Sequence, residues 1–155
     1  MSWIDILSMV VALGASLIGG TFFAFSNFVM PGIARQPAAS GIATMNAINV
    51  TVLNAGFLGA FMGTAILGLA LVLAVLVAGG SLWAAAGALV YVIGTFGVTM
   101  AINVPMNNRL AKFEAESAQG AAYWSRYLRD WVRWNSIRSG AAMLATLLLM
   151  LSLMR

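Results

Sequence analysis

Four apolar runs, at about 4–30, 52–78, 82–104 and 137–154, dominate this chain of 155 residues. Each is close to the roughly 20 residues that carry a helix across about 30 Å of hydrocarbon. In that medium no water satisfies backbone N–H and C=O groups, so a spanning segment must close its hydrogen bonds within a helix or a closed barrel. Runs this long, without strict alternation, select helices. The chain is 62% hydrophobic and 8% charged, whereas about 25% charge is usual in soluble domains. The sequence therefore predicts an all-α fold: one integral membrane domain over residues 1–155, a four-helix bundle with an additional amphipathic interfacial helix before the fourth span. The first run opens Met-Ser-Trp-Ile-Asp with no basic leader and is expected to be retained rather than cleaved.

The chain has no cysteine and no histidine. Disulfides, thiolate chemistry, the usual zinc sites and histidine-ligated haem fall away with them. The acids are Asp5, Glu114, Glu116 and Asp130, none a convincing general base; Asp130, with Arg126 and Arg133 at helical spacing, reads as an ion-pair partner. The formal charge of +4 belongs mostly to residues bordering the spans, without a nucleic-acid motif. Arg35, Arg109, Lys112, Arg126, Arg129 and Arg133 fall in the 31–51 and 105–136 connections, with Arg138 just inside the same edge and Arg155 opposite. The positive-inside rule makes that side cytoplasmic, and the expected setting is a bacterial inner membrane with both termini outside. Trp3 and Trp83 form an aromatic belt on the far side.

Small residues recur every fourth position in the first two spans: Ala15 and Gly19, Ser16 and Gly20, then Ala55, Gly59 and Gly63. Such faces let backbones approach closely, either inside the bundle or in a homo-oligomer. Pro31-Gly32 is expected to end the first span, and Pro105 to end or kink the third. The 106–136 connection is too aromatic for a plain loop. Within residues 121–138, Trp124, Tyr127, Trp131, Trp134, Asn135 and Arg138 recur at three- and four-residue steps, as on an amphipathic helix running directly into the fourth span. Membrane lipids are the simplest partner for its arginines and tryptophans.

The polar chemistry is one-sided. All eight asparagines, Asn27, Asn46, Asn49, Asn54, Asn103, Asn107, Asn108 and Asn135, fall at the same ends of the apolar runs. Tyr91, Thr95, Thr99 and Asn103 form a stripe along one face of the third. Unpartnered amides and hydroxyls are costly in hydrocarbon, so this layer either bonds helix to helix or lines a cavity. Arg138 is its sharpest member: a cation that deep snorkels to the surface or finds a partner such as an anion.

The blocks Gly-Gly-Thr-Phe-Phe-Ala-Phe-Ser-Asn-Phe-Val-Met-Pro-Gly (19–32), Met-Asn-Ala-Ile-Asn (45–49), Thr-Met-Ala-Ile-Asn-Val-Pro-Met-Asn (99–107) and Trp-Val-Arg-Trp-Asn-Ser-Ile-Arg (131–138) resemble the anthrone-oxygenase-like family of small four-helix membrane proteins. The resemblance covers most of the chain. Where relatives often carry glutamine, this chain has Asn46, which keeps the amide and shortens its reach. The resemblance implies oxidation of an anthrone by molecular oxygen as co-substrate, with no metal or flavin motif. On that reading the partner is a hydrophobic aromatic molecule; Arg138 and Asn103 are the catalytic candidates, and Ser26, Asn27, Asn46, Asn49, Thr99, Asn107, Trp131, Trp134 and Asn135 the substrate-binding ones. A binding or transport protein for a flat amphiphile, or a structural subunit of a membrane assembly, could use the same residues.

Overall fold

The computed structural model describes residues 1–154, so Arg155 lies outside the described residues. Among the described residues the chain is mostly helical: α1 (Trp3–Ala24), α2 (Met30–Ile33), α3 (Ala38–Thr51), α4 (Ala55–Ala78), α5 (Leu82–Val90), α6 (Val104–Leu110) and α7 (Ala118–Leu151). Three π-helical segments join them: Phe25–Val29 between α1 and α2, and Tyr91–Gly97 and Thr99–Asn103 between α5 and α6. Among the described residues three continuous helical stretches are long and apolar enough to cross a membrane, Trp3–Ile33, Ala55–Ala78 and Leu82–Leu110. The amphipathic segment and the apolar run expected after it are the two halves of α7, one unbroken helix of 34 residues.

The first stretch ends at Ile33, one residue past Pro31-Gly32, whereas the third does not end at Pro105 but continues to Leu110. A proline interior to an α-helix collides with the carbonyl four residues back and lacks an N–H. Here each proline follows a widened turn: Met30 N–H bonds the Phe25 carbonyl and Val104 N–H the Thr99 carbonyl, both five residues back. The carbonyls of Asn27 and Ala101, four residues before the prolines, fall inside those π segments. Such bulges often mark functional sites.

The 31–51 connection contains a helix that the sequence pattern leaves unannounced. α3 buries Gly41, Ile42 and Met45 against Trp124, Tyr127 and Trp131 of α7, together with Met30 and Leu110. α7 runs through the middle of the molecule. Its residues Ala142, Ala145 and Leu149 pack against α1, α4 and α5 in two further apolar clusters. Gly19 allows α1 to approach Ala142, and the Ser139 hydroxyl donates to the Gly19 carbonyl at 3.0 Å. The Ala15/Gly19 face is therefore filled from within the chain. Gly20, Gly59 and Gly63 have open space where a side chain would begin. Asn54 caps α4 by accepting from Phe57 N–H at 3.0 Å.

Candidate functional site

A cavity of about 310 Å³ opens between α1, α3, α4, the Thr99–Asn103 segment, α6 and α7, at the lower end of the roughly 300–1,000 Å³ typical of small-molecule sites. Its wall is mainly aromatic. Phe57 and Phe61, one turn apart on α4, stack with centroids 5.8 Å apart at 12°, and Phe22 and Phe96 close on Phe61 at 6.3 and 5.2 Å. The Tyr91 hydroxyl anchors that wall by donating to the Phe61 carbonyl at 3.1 Å. Met45, Ile48, Val52 and Leu53 complete the side formed by α3 and its exit. Leu53, Met62 and Met100 line the cavity yet are 66%, 46% and 50% exposed. They make an apolar mouth.

Arg138 lies in this wall with 5% of its surface exposed. Its Nε and Nη2 both donate to Asn135 Oδ1, at 3.0 and 2.7 Å, and Nη1 donates to Thr99 Oγ1 at 3.0 Å. The guanidinium carbon sits 3.7 Å from the Phe22 ring centroid and 5.2 Å from that of Trp131. A desolvated guanidinium over an aromatic face gains about 2 kcal/mol, which offsets part of the burial cost. Among the described residues no carboxylate pairs with it, and Asp130 is engaged by Arg129 at 3.0 Å. Each terminal nitrogen carries two N–H groups, and the bonds above use one of each. A buried cation with donors to spare thus borders an apolar, aromatic space.

A second layer holds the arginine in place. Asn135 Nδ2 donates to the Phe22 carbonyl at 2.6 Å and to Ser26 Oγ at 2.7 Å, so its Oδ1 is turned toward the guanidinium. The Thr99 hydroxyl donates to the Thr95 carbonyl at 2.7 Å, which leaves its lone pairs for Arg138. Thr95 Oγ donates to the Arg138 carbonyl at 3.0 Å.

Toward α6, Asn107 Oδ1 accepts from Tyr127 Oη at 2.7 Å and from Trp131 Nε1 at 2.8 Å, fixing two rings of the stacked series Trp124, Tyr127, Trp131. Burial pushes the Tyr127 phenol well above its ordinary pKa, and the nearby Asn49 amide and Arg138 charge offset part of that shift. It remains a donor rather than a base. Replacing Asn107 with leucine strands both donors, and an expected loss of about 1–3 kcal/mol per unsatisfied group is read by thermal unfolding in detergent.

The structure brings Arg138, Thr99, Asn49, Asn107 and Trp131 to the cavity, with Asn108 at its edge. Asn135 and Ser26 stand behind Arg138. Asn103 is fully buried but does not line the cavity; its amide reaches the Trp131 carbonyl at 3.4 Å and its Oδ1 has no partner among the described residues. Asn46 Oδ1 is likewise unpartnered, and Asn49 Nδ2 lies near the Tyr127 hydroxyl without hydrogen-bond geometry. Asn27 is exposed, facing away from the cavity that Phe22 and Phe25 line. Trp134 lines a separate groove with Arg109, Arg126 and Arg133. Asp130 pairs with Arg129 rather than with the helically spaced arginines. Sequence reasoning passed over Phe22, Phe57, Phe61 and Phe96; the one-turn spacing of Phe57 and Phe61 was the available signal.

A family model described as anthrone oxygenase matches residues 51–148, well over half of the chain. The chain belongs to the anthrone oxygenase family. No curated protein and no solved structure matches. The matched part of this anthrone oxygenase family member contains Thr99, Asn103, Asn107, Trp131, Trp134, Asn135 and Arg138. Phe22, Ser26, Asn27, Asn46 and Asn49 precede it.

Proposed function

We propose that this anthrone oxygenase family member oxidises an anthrone, or a closely similar flat phenolic ketone, with molecular oxygen inside the aromatic cavity. The observation that carries the reading is Arg138: a buried cation without a carboxylate partner, with N–H groups left over, in a mainly apolar wall. The methylene carbon of an anthrone loses a proton to water at the open mouth of the cavity, giving an anion whose charge rests largely on the carbonyl oxygen. Arg138 donates to that oxygen, where preorganised donors lower the barrier most effectively in a water-poor site. The anion adds oxygen to form a peroxide, the released proton returns to it, and loss of water leaves the second carbonyl of an anthraquinone. The substrate supplies the electrons, so one anthrone and one oxygen molecule yield one anthraquinone and one water.

Binding and orientation fall to the remaining lining. Phe57, Phe61, Phe96 and Trp131 cover a flat ring system, and Asn49 and Asn107 meet polar substituents near the α3 and α6 rim. Asn103 sits behind Trp131 in this reading and acts through that ring's position rather than on substrate. Substrate enters through the apolar mouth at Leu53, Met62 and Met100. The second half of α7 crosses the membrane as a fourth span, which sets the cavity at the cytoplasmic face and both termini outside.

A carrier for a flat amphiphile is the competing reading, favoured by the absence of any carboxylate from the residues lining the cavity. Oxygen uptake by the purified protein on a panel of anthrones and hydroquinones separates the two. The oxygenase reading expects uptake above the protein-free rate, stoichiometric with quinone; tight quinone binding without turnover would establish the carrier. Thr99→Val removes the hydroxyl that accepts from Nη1 and is expected to lower turnover about tenfold, the weight of one hydrogen bond to a charged group.

A further inference from the structure

A second groove, of about 440 Å³ and sharing no lining residue with the aromatic cavity, lies between α6 and α7. Met106, Tyr123 and Trp134 give it an apolar floor, and Arg109, Arg126 and Arg133 supply three cations. Arg109 lies over the Tyr123 ring at 5.0 Å. The single acid in the groove, Asp130, is engaged by Arg129, which does not line it. Among the described residues Arg126 and Arg133 have no ion pair or side-chain hydrogen bond. Three guanidinium groups against one carboxylate that is already engaged leave the groove net positive, which favours an anion shared between them. The position is informative too: Met106 and Arg109 are in the last two turns of the Leu82–Leu110 stretch, which is long and apolar enough to cross a membrane.

From this charge complementarity, set on an apolar floor at a span end, we propose that the groove binds the headgroup of an anionic glycerophospholipid. Its phosphodiester lies among Arg109, Arg126 and Arg133, and its glycerol backbone rests on Trp134 and Met106. A zwitterionic lipid fits less well, because its headgroup cation would face the same arginines. The inference is independent of the oxidation chemistry.

The test is native mass spectrometry of the detergent-purified chain titrated with phosphatidylglycerol and, separately, phosphatidylcholine. One phosphatidylglycerol per chain should be retained at concentrations where phosphatidylcholine is lost. The exposed pair Arg126→Gln and Arg133→Gln should weaken that retention by about thirtyfold, as two charges at a membrane surface would, with the thermal unfolding temperature unchanged. Equal retention of both lipids, no retention of either, or unchanged retention by the double variant would overturn the proposal. Displacement of the lipid by millimolar inorganic phosphate would do so as well, since it would mark a site for a free anion.

Discussion

Replacing Arg138 with glutamine is expected to lower anthrone-dependent oxygen uptake by about 10²–10³-fold, the usual effect of removing a preorganised donor to a developing oxyanion, while the bundle stays folded. Glutamine retains an amide that can reach toward Asn135 and Thr99 but removes the charge and the donors on the cavity side. The loss should fall on kcat, because the ground-state ketone is held chiefly by Phe57, Phe61, Phe96 and Trp131, whereas the full oxyanion exists only after ionisation. Oxygen-electrode kinetics on protein with wild-type helix content and unfolding temperature check this. Activity within threefold of wild type would remove Arg138 from the chemistry.

A large effect on folding is expected at Gly87. A Cβ there would come within 2.9 Å of both the Ala145 carbonyl oxygen and Leu149 Cγ, and within 3.1 Å of Leu148 Cβ. Backbone of α7 cannot yield as a flexible side-chain end can, so Gly87→Val forces α5 away from α7. Gly94 repeats the contact two turns later, where a Cβ would meet that of Ala141 at 2.7 Å. Overpacking of this kind typically costs about 1–3 kcal/mol, and the separation would propagate along the face that carries Tyr91, Thr95 and Thr99. Gly59→Val is the matched control, because nothing lies within 4 Å of a Cβ at that position. Thermal stability in detergent should fall for Gly87→Val and hold for Gly59→Val; equal stability would contradict the close α5–α7 packing.

The apolar runs were legible because crossing length leaves a direct trace in the sequence. α3 was not: its Gly41, Ile42 and Met45 stripe is short, and Ala, Ser, Thr and Asn around it carry no strong period. The π segments leave no residue-type signal, which is why the continuation of the third stretch past Pro105 to Leu110 was not foreseen. Within the site, helical geometry decided which expectations met. Arg138 follows Trp131 by seven residues, about 20° from the same line on α7, and both border the cavity. Trp134 is three residues from Trp131, about 60° around the helix, enough to place it in the other groove. The one-sided asparagines divide in the same manner. Asn135 orients the arginine, Asn107 fixes two rings, Asn54 caps a helix and Asn27 faces outward. The aromatic wall was missed because phenylalanines in an apolar run look like ordinary membrane packing until the helices are assembled.

The most direct measurement is an experimental structure of the protein with an anthraquinone bound. The expected result places the ring system against Phe57, Phe61 and Trp131, with one keto oxygen about 3 Å from a terminal nitrogen of Arg138. A quinone seated elsewhere at saturating concentration, with the Arg138 guanidinium still facing an unliganded wall, would contradict the assignment of this cavity as the substrate site.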